Sequence, residues 1–387
     1  MDTRERPRPR RLVVAAAVQP VAVPVPPPAP AAPGPAAPVP AAAGPGQSAG
    51  PGRLPAPGRV LCWQVATVLV TIASRQPLPV SAVLVAAAAA LVISTVVRRR
   101  GVRLYQIAAG RCRFAVRKRR RWLPERGDKS RVLLGLLLPG SAAGDTDTGQ
   151  GPVATISHPA GLTAIIRPRA VGTAPISSFP APVALLRGLP ADVGVQLVFH
   201  SGARSEGSVR IWLAVYAGRN LETPSDDELI PLLHNGLRRV RRSLDKAGVP
   251  TGLLPVDTGL AAVTALAHVG QGRDEIREAW RFWRTGTVSQ ACFSLRGGDE
   301  SDLHRLADGL LSHTPGVAVT VTLSARGGST DALLRFAATT EAAVDAAADR
   351  AARLFSATDI QFRRLDGIHR RAVAASLPIG GFLCRPA

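Results

Sequence analysis

From Pro77 to Val97, twenty-one consecutive residues carry no charge, and a bilayer core takes about 20 helical residues to cross. A helix apolar on every side must be covered by protein or by lipid. Just before it, Val60 to Ser74 is a second apolar run of fifteen residues between Arg59 and Arg75, with Trp63 and Gln64 near its start. Alone, that length suits a buried soluble helix. Beside a full span, with arginines able to extend to the headgroups, the pair reads as a transmembrane helical hairpin over 59–97, with spans at 60–74 and 77–97. Gln64 is the candidate for an interhelical hydrogen bond, and the small residues Ala86 to Ala90 for close helix packing.

Charge orients the hairpin. Residues 1–131 hold 22 basic and 4 acidic side chains, which leaves 26 against 23 beyond Arg131, so the excess sits beside the apolar runs. The connection between the spans has one basic residue, Arg75, whereas Arg98 to Arg131 has fourteen. The positive-inside rule then predicts a multi-pass plasma-membrane protein with both termini cytoplasmic. The basic juxtamembrane segment 98–131 interleaves Leu104, Tyr105, Ile107, Phe114 and Val116 with arginines, a pattern for a helix on an anionic leaflet. Anionic lipid headgroups are therefore an expected partner of Arg98 to Arg131. Nucleic acid is not expected, because the region beyond is nearly neutral, and neither is a small-molecule substrate. Residues 1–58 open with arginines and continue as a Pro/Ala-rich arm that cannot bury enough side-chain area to order itself.

Beyond a Gly-rich linker at 132–152, apolar and polar residues alternate. The expected fold class is α+β, with a first cytoplasmic half at 153–256 and a second at 257–387. Antiparallel sheets are expected, covered on one face by helices. Ser225 to Lys246 reads as a helix with capping-box spacing at Ser225 and Glu228, its start shifted later by Pro231. Val317, Val319, Val321 and Leu323 alternate with Thr320, Thr322 and Ser324 in a half-buried strand. Ile360–Leu365 and Ile368–Ala375 read as two strands joined at Asp366-Gly367, which has the composition of a type I′ turn. The C-terminal part becomes βαββαβ, the ferredoxin-like order, and the half before it can be parsed as a duplicate.

No constellation carries chemistry. A phosphate-cradling G-x-x-x-x-G-K-[ST] loop is absent, and Lys246 is the sole lysine beyond Arg131. The cysteines Cys62, Cys112, Cys292 and Cys384 are scattered, and neither paired Cys/His spacing nor H-E-x-x-H occurs. Gly202 to Gly207 misses the nucleophile-elbow pattern by one residue and reads as a turn. Asp226-Asp227-Glu228 is explained by the helix start. No catalytic, cofactor-binding or metal residues are assigned, and the chain is not expected to be an enzyme. Trp280-Arg281-Phe282-Trp283-Arg284 is the one aromatic concentration, read as one core tryptophan and one at an interface.

The hairpin followed by Arg98-Arg99-Arg100-Gly101-Val102-Arg103-Leu104-Tyr105 resembles the membrane-proximal part of EccE, the type VII secretion system membrane component E of actinobacteria. The similarity continues in Val195 to Ser201, Trp280 to Arg284, Arg364-Leu365-Asp366-Gly367 and Ala374 to Gly381, and covers about residues 59–381. The Pro/Ala-rich arm and Leu133 to Ala154 depart from it. The resemblance implies a structural, non-catalytic inner-membrane subunit of an ESX-like export complex, assembled with the B, C and D components, of which C is the ATPase. Two other classes compete: a membrane-tethered transferase or hydrolase whose active site assembles only in three dimensions, and a membrane-anchored nucleic-acid-binding regulator.

Overall fold

A computed structural model describes residues 57–99, 102–124, 128–149, 151–169, 176–204, 208–270, 272–298, 300–312 and 314–382. The Pro/Ala-rich arm lies outside them up to residue 56, as do the end of the turn at 202–207 and Cys384.

Two helices, α1 (Pro57–Ala73) and α2 (Leu78–Val96), pack antiparallel around a short turn. Pro77 and Pro79 start α2 without a side-chain cap, since a proline there has no N–H to satisfy. The backbone ladder of β1 (Arg98–Arg99) with β2 (Val102–Arg103) leads into α3 (Leu104–Val116). β3 (Arg120–Trp122) then joins the main sheet, so the described part of the basic segment 98–131 belongs to the folded body. The expected linker is ordered as well. α4 (Lys129–Leu137) begins on Asp128, whose carboxylate accepts from the N–H groups of Ser130 and Arg131, and it buries Leu133, Leu134 and Leu137. An apolar stripe of that kind outweighs the neighbouring glycines.

β4 (Ala142–Asp147), β5 (Pro152–His158) and β6 (Gly161–Pro168) form a meander. A 3₁₀ turn at Ile176–Ser178 and α5 (Pro182–Leu185) lead to β7 (Val193–Ser201), β8 (Val209–Gly218), α6 (Asp226–Lys246), β9 (Thr251–Leu253) and α7 (Val256–Leu266). The pattern recurs: β10 (Glu275–Glu278), β11 (Trp283–Thr285) and β12 (Val288–Arg296) form a second meander. It is followed by α8 (Glu300–Ser312), β13 (Ala318–Arg326), β14 (Ser329–Ala338), α9 (Glu341–Phe355), β15 (Gln361–Arg364) and α10 (His369–Ala375).

The architecture is mixed α+β around one thirteen-stranded antiparallel sheet. Within it β9, β6, β8 and β7 lie side by side in that order, and β15, β12, β14 and β13 repeat it. Each set is a βαββαβ unit in the split βαβ order. The units meet edge to edge where β7 pairs β13 from Val319 opposite Ser201 to Arg326 opposite Gly194. Pairing these edges removes two exposed ladders and joins the two units in one continuous sheet.

Helices cover both faces, not one. Residues of α5, α6, α8 and α9 pack with Val195, Leu197, Phe199, Leu213, Val215, Val319, Val321, Leu334 and Phe336. On the other face α4, α7 and α10 pack with Ile156, Ile165, Val198, Trp212, Cys292 and Leu333. The strand read as half-buried is therefore buried on both faces: Thr320, Thr322 and Ser324 are buried, as Val319 and Val321 are.

Two local expectations differ. α6 starts at Asp226 with both capping-box bonds made, and Pro231 sits inside it, giving up one intrahelical donor. The region from His369 is helix α10, not the second strand of a hairpin. Asp366-Gly367 does turn the chain, with Gly367 at φ +74°, but its N–H donates to the carbonyl of Trp280 and β15 finds its partner in β12. The alanine-rich run that follows is then free to form a helix buried on the sheet.

Candidate functional site

The hairpin's two helices touch through small residues: Ala66 and Ala73 of α1 and Ala88 of α2 are buried. Of the stretch Ala86 to Ala90 only Ala88 is covered. Gln64 is exposed and makes no bond to α2; the interhelical hydrogen bond is donated by Trp63 Nε1 to Thr95 Oγ1 at 3.2 Å. Thr95 also donates to the Val92 carbonyl, so its hydroxyl is fully used inside the helix pair. Among the described residues one helix, Leu78–Val96, is long and apolar enough to cross a membrane, and only 11% of its apolar stretch is buried by the rest of the protein.

α3 leaves this hairpin and turns Ile107, Gly110 and Phe114 towards the domain. Phe114 meets Trp280 edge to face at 5.4 Å between centroids, and the Arg111 guanidinium lies 5.6 Å from the same indole. Trp280 is in turn seated on the 366–367 turn: a Cβ at Gly367 would lie 2.5 Å from the indole. The carbonyl of Trp280 is 3.1 Å from His369 Nε2. Trp283, by contrast, is a core residue. The aromatic cluster thus divides into one buried and one half-buried tryptophan, and the interface of the latter is intramolecular, between α3 and the sheet.

Arginines flanking these rings are anchored to α9. Arg281 and Arg364 share Asp345, at 3.2 and 2.6 Å, and Arg284 pairs with Glu341 one helical turn earlier. Arg364 also stacks 4.6 Å over Phe282 and donates to the Arg281 carbonyl at 2.7 Å. The strings Trp280 to Arg284 and Arg364 to Gly367 are therefore adjacent in space. So are Val195 to Ser201 and Ala374 to Gly381, because Gln196 Nε2 donates to the Ala375 carbonyl at 2.6 Å and accepts at Oε1 from Gly380 N–H at 3.2 Å.

The most polar interior lies where α7 ends over the second unit. Arg335, fully buried on β14, donates to the carbonyl of Leu266 at 2.8 Å, to Gln290 Oε1 at 3.2 Å and to Thr320 Oγ1 at 3.2 Å. Gln290 Nε2 donates to the Ala267 carbonyl at 3.0 Å and to Thr285 Oγ1 at 3.2 Å. Thr320 is also 2.9 Å from His200 Nδ1. His268, the one non-glycine residue with a left-handed φ among the described residues, places its ring 6.0 Å from that of His200. Burial first, and Arg335 second, hold both histidines at about 3, so they are neutral at pH 7. Burial pushes the Cys292 thiol up to about 12, which makes it inert. Nothing in the sequence singled out Arg335: in Leu334-Arg335-Phe336 strand alternation assigns it to a solvent face.

A shallow groove between α4 and α7 is lined by Asp128, Lys129, Asp257 and Thr264 among others, and contains no histidine. Among the described residues no group of three His, Cys, Asp or Glu side chains is placed to hold a metal ion. Asp145, Asp226 and Glu228 each have a partner of their own: Asp145 accepts from the Val256 N–H, Asp226 pairs with Arg219, and Glu228 closes the capping box. No family model matches the chain, and no curated protein matches it in sequence.

Proposed function

We propose that the chain is a structural, non-catalytic inner-membrane subunit of a type VII secretion complex, of the EccE family. In this reading α1 and α2 both cross the plasma membrane, the termini lie in the cytoplasm, and the α+β body docks on the B, D and ATPase-bearing C components. The observation that carries it is the surface of the hairpin: Leu61, Val68, Leu78, Val83, Ile93 and Val96 are each more than half exposed, whereas the sheet and its helices bury most of their large apolar residues. A continuous apolar surface of this kind is a membrane or protein contact, not a stable aqueous face. The order of the strings that resemble EccE, and their pairwise packing against one another, supports a role as a rigid docking body.

The test is topology plus retention. Leu221 is fully exposed on the α+β body. With the native cysteines replaced, a membrane-impermeant maleimide should label Leu221→Cys only after the cells are permeabilised, and the tagged chain should retain the B, C and D components in mild detergent. Labelling in intact cells, or recovery of the chain from the aqueous fraction, sinks the reading.

A further inference from the structure

The edge of the sheet that begins with β3, next after α3, is crowded with arginines from segments far apart in sequence. Register sets Arg120 opposite Arg277 and Arg277 opposite Arg284, a row of like charges that is unfavourable unless anions sit among them. Arg120 has Glu275 and Arg284 has Glu341, and Arg277 has neither. On the other face of the same strands, Arg121 lies opposite Ile276, which puts its side chain on the side of Glu278 and α10. Glu278 is buried and is the single carboxylate there among the described residues. Its oxygens are 3.7 Å from Arg117 Nη1 and 3.0 Å from the Arg370 N–H. Among the described residues Arg117 Nη1 and Arg370 Nε are buried without a hydrogen-bond partner, while Arg121 and Arg371 open to solvent.

We propose that Arg117, Arg121, Arg370 and Arg371 form a binding site for the phosphate of an anionic lipid headgroup, an inference that rests on the membrane reading above. Four guanidiniums around one carboxylate leave a positive surplus, and forked donors suit phosphate oxygens. Burial, followed by Arg117, holds the Arg370 guanidinium below its ordinary range, and an added anion relieves that. The source is lipid because of what α3 presents. Opposite the face that holds Phe114, Tyr105, Ala109, Cys112 and Val116 recur at i, i+4, i+7 and i+11; Ala109 and Cys112 are exposed and Val116 is 88% exposed. That second apolar stripe, with Arg113 beside it and the basic edge at its end, is the pattern of a helix lying in a headgroup layer. A nucleic-acid site has no use for it.

Native mass spectrometry of the full chain in neutral detergent, with equal phosphatidate and phosphatidylcholine, tests this. Wild type is expected to retain phosphatidate preferentially, and Arg370→Gln with Arg371→Gln to weaken that retention about tenfold. Arg238→Gln with Arg242→Gln, which removes the same charge from exposed positions on α6, should leave it unchanged, and liposome insertion should survive in both variants. Equal retention by wild type and the α10 variant overturns the site. So does thermal protection by inorganic phosphate matching that by phosphatidate, or displacement of phosphatidate by a single-stranded oligonucleotide. Loss of insertion in wild type would instead undo the membrane reading itself.

Discussion

Arg335 donates to the carbonyl of Leu266, the last residue of α7, across 2.8 Å of closed interior. A guanidinium that is entirely buried normally needs a carboxylate. Here the counter-charge is the negative end of a helix: Leu266 directly, and Ala267 through Gln290, offer the terminal carbonyls that an α-helix leaves unpaired. Burial lowers the Arg335 guanidinium to about 10, so it remains charged at neutral pH. The contact also joins the halves, since α7 follows the first unit and Arg335 belongs to the second.

Replacing Arg335 with Ala should cost about 3–5 kcal/mol, because it opens a cavity and strands Leu266, Gln290 and Thr320 together. Arg335→Met, which fills the space but bonds nothing, should cost less. Thermal unfolding of the detergent-solubilised chain checks the order of the two.

Acid should destabilise the body. His200 and His268 are held at about 3, far below the ordinary 6.5, so their contribution is complete above pH 6.5 and is lost as pH falls from there towards 3. In that window the unfolded chain takes up protons that the folded one excludes, at most about 1.4 kcal/mol per histidine per pH unit. His200→Gln with His268→Asn should lessen the fall of the melting temperature between pH 6.5 and 4.5 without abolishing it, because burial holds His158 and His369 at about 4 as well. Asn is chosen at 268 because it tolerates the left-handed backbone there.

Thr95→Val should loosen the hairpin by about 1 kcal/mol or less, by removing the acceptor of the Trp63 indole, whereas Gln64→Leu should have no such effect. Disulfide trapping between cysteines placed at Ala66 and Ala88 reads the difference as a slower cross-link in Thr95→Val alone.

Gly367→Ala should release α3 from the body. Its Cβ would meet Trp280 at 2.5 Å and would demand a φ of +74°, so the seat of the indole is lost. Trp280→Ala should act on the same contact from the other side, removing the partner of Phe114. Limited proteolysis between 104 and 119 should accelerate in both variants, with Gly309→Ala, whose Cβ meets nothing, as the unaffected control.

The local signals that survived folding are those whose partners lie within one turn or one strand. Ser225 and Glu228 cap α6 as their spacing requires, and the alternation from Val317 to Leu323 is a strand with its apolar side inward. Those that changed depended on distant partners. Ile368 to Ala375 obeys hairpin rules on paper, yet β12 had already claimed β15, and the sheet offered the alanines a face to cover. Thr320, Thr322 and Ser324 read as a wet face because polarity normally means solvent. In the folded chain Thr322 donates to the Ser376 carbonyl, and Thr320 is held between Arg335 and His200.

By itself the sequence determined where apolar length and basic charge lie: one run able to span a bilayer, a shorter partner, and an arginine-rich segment after them, since length and charge are properties of the chain alone. Tertiary structure alone decided that β7 and β13 fuse two units into one sheet, that Trp63 and not Gln64 bonds across the hairpin, and that Arg335 is buried. Each of these is settled by which group stands opposite at hydrogen-bonding distance, and residues tens to more than a hundred positions apart carry no local pattern that names their partner.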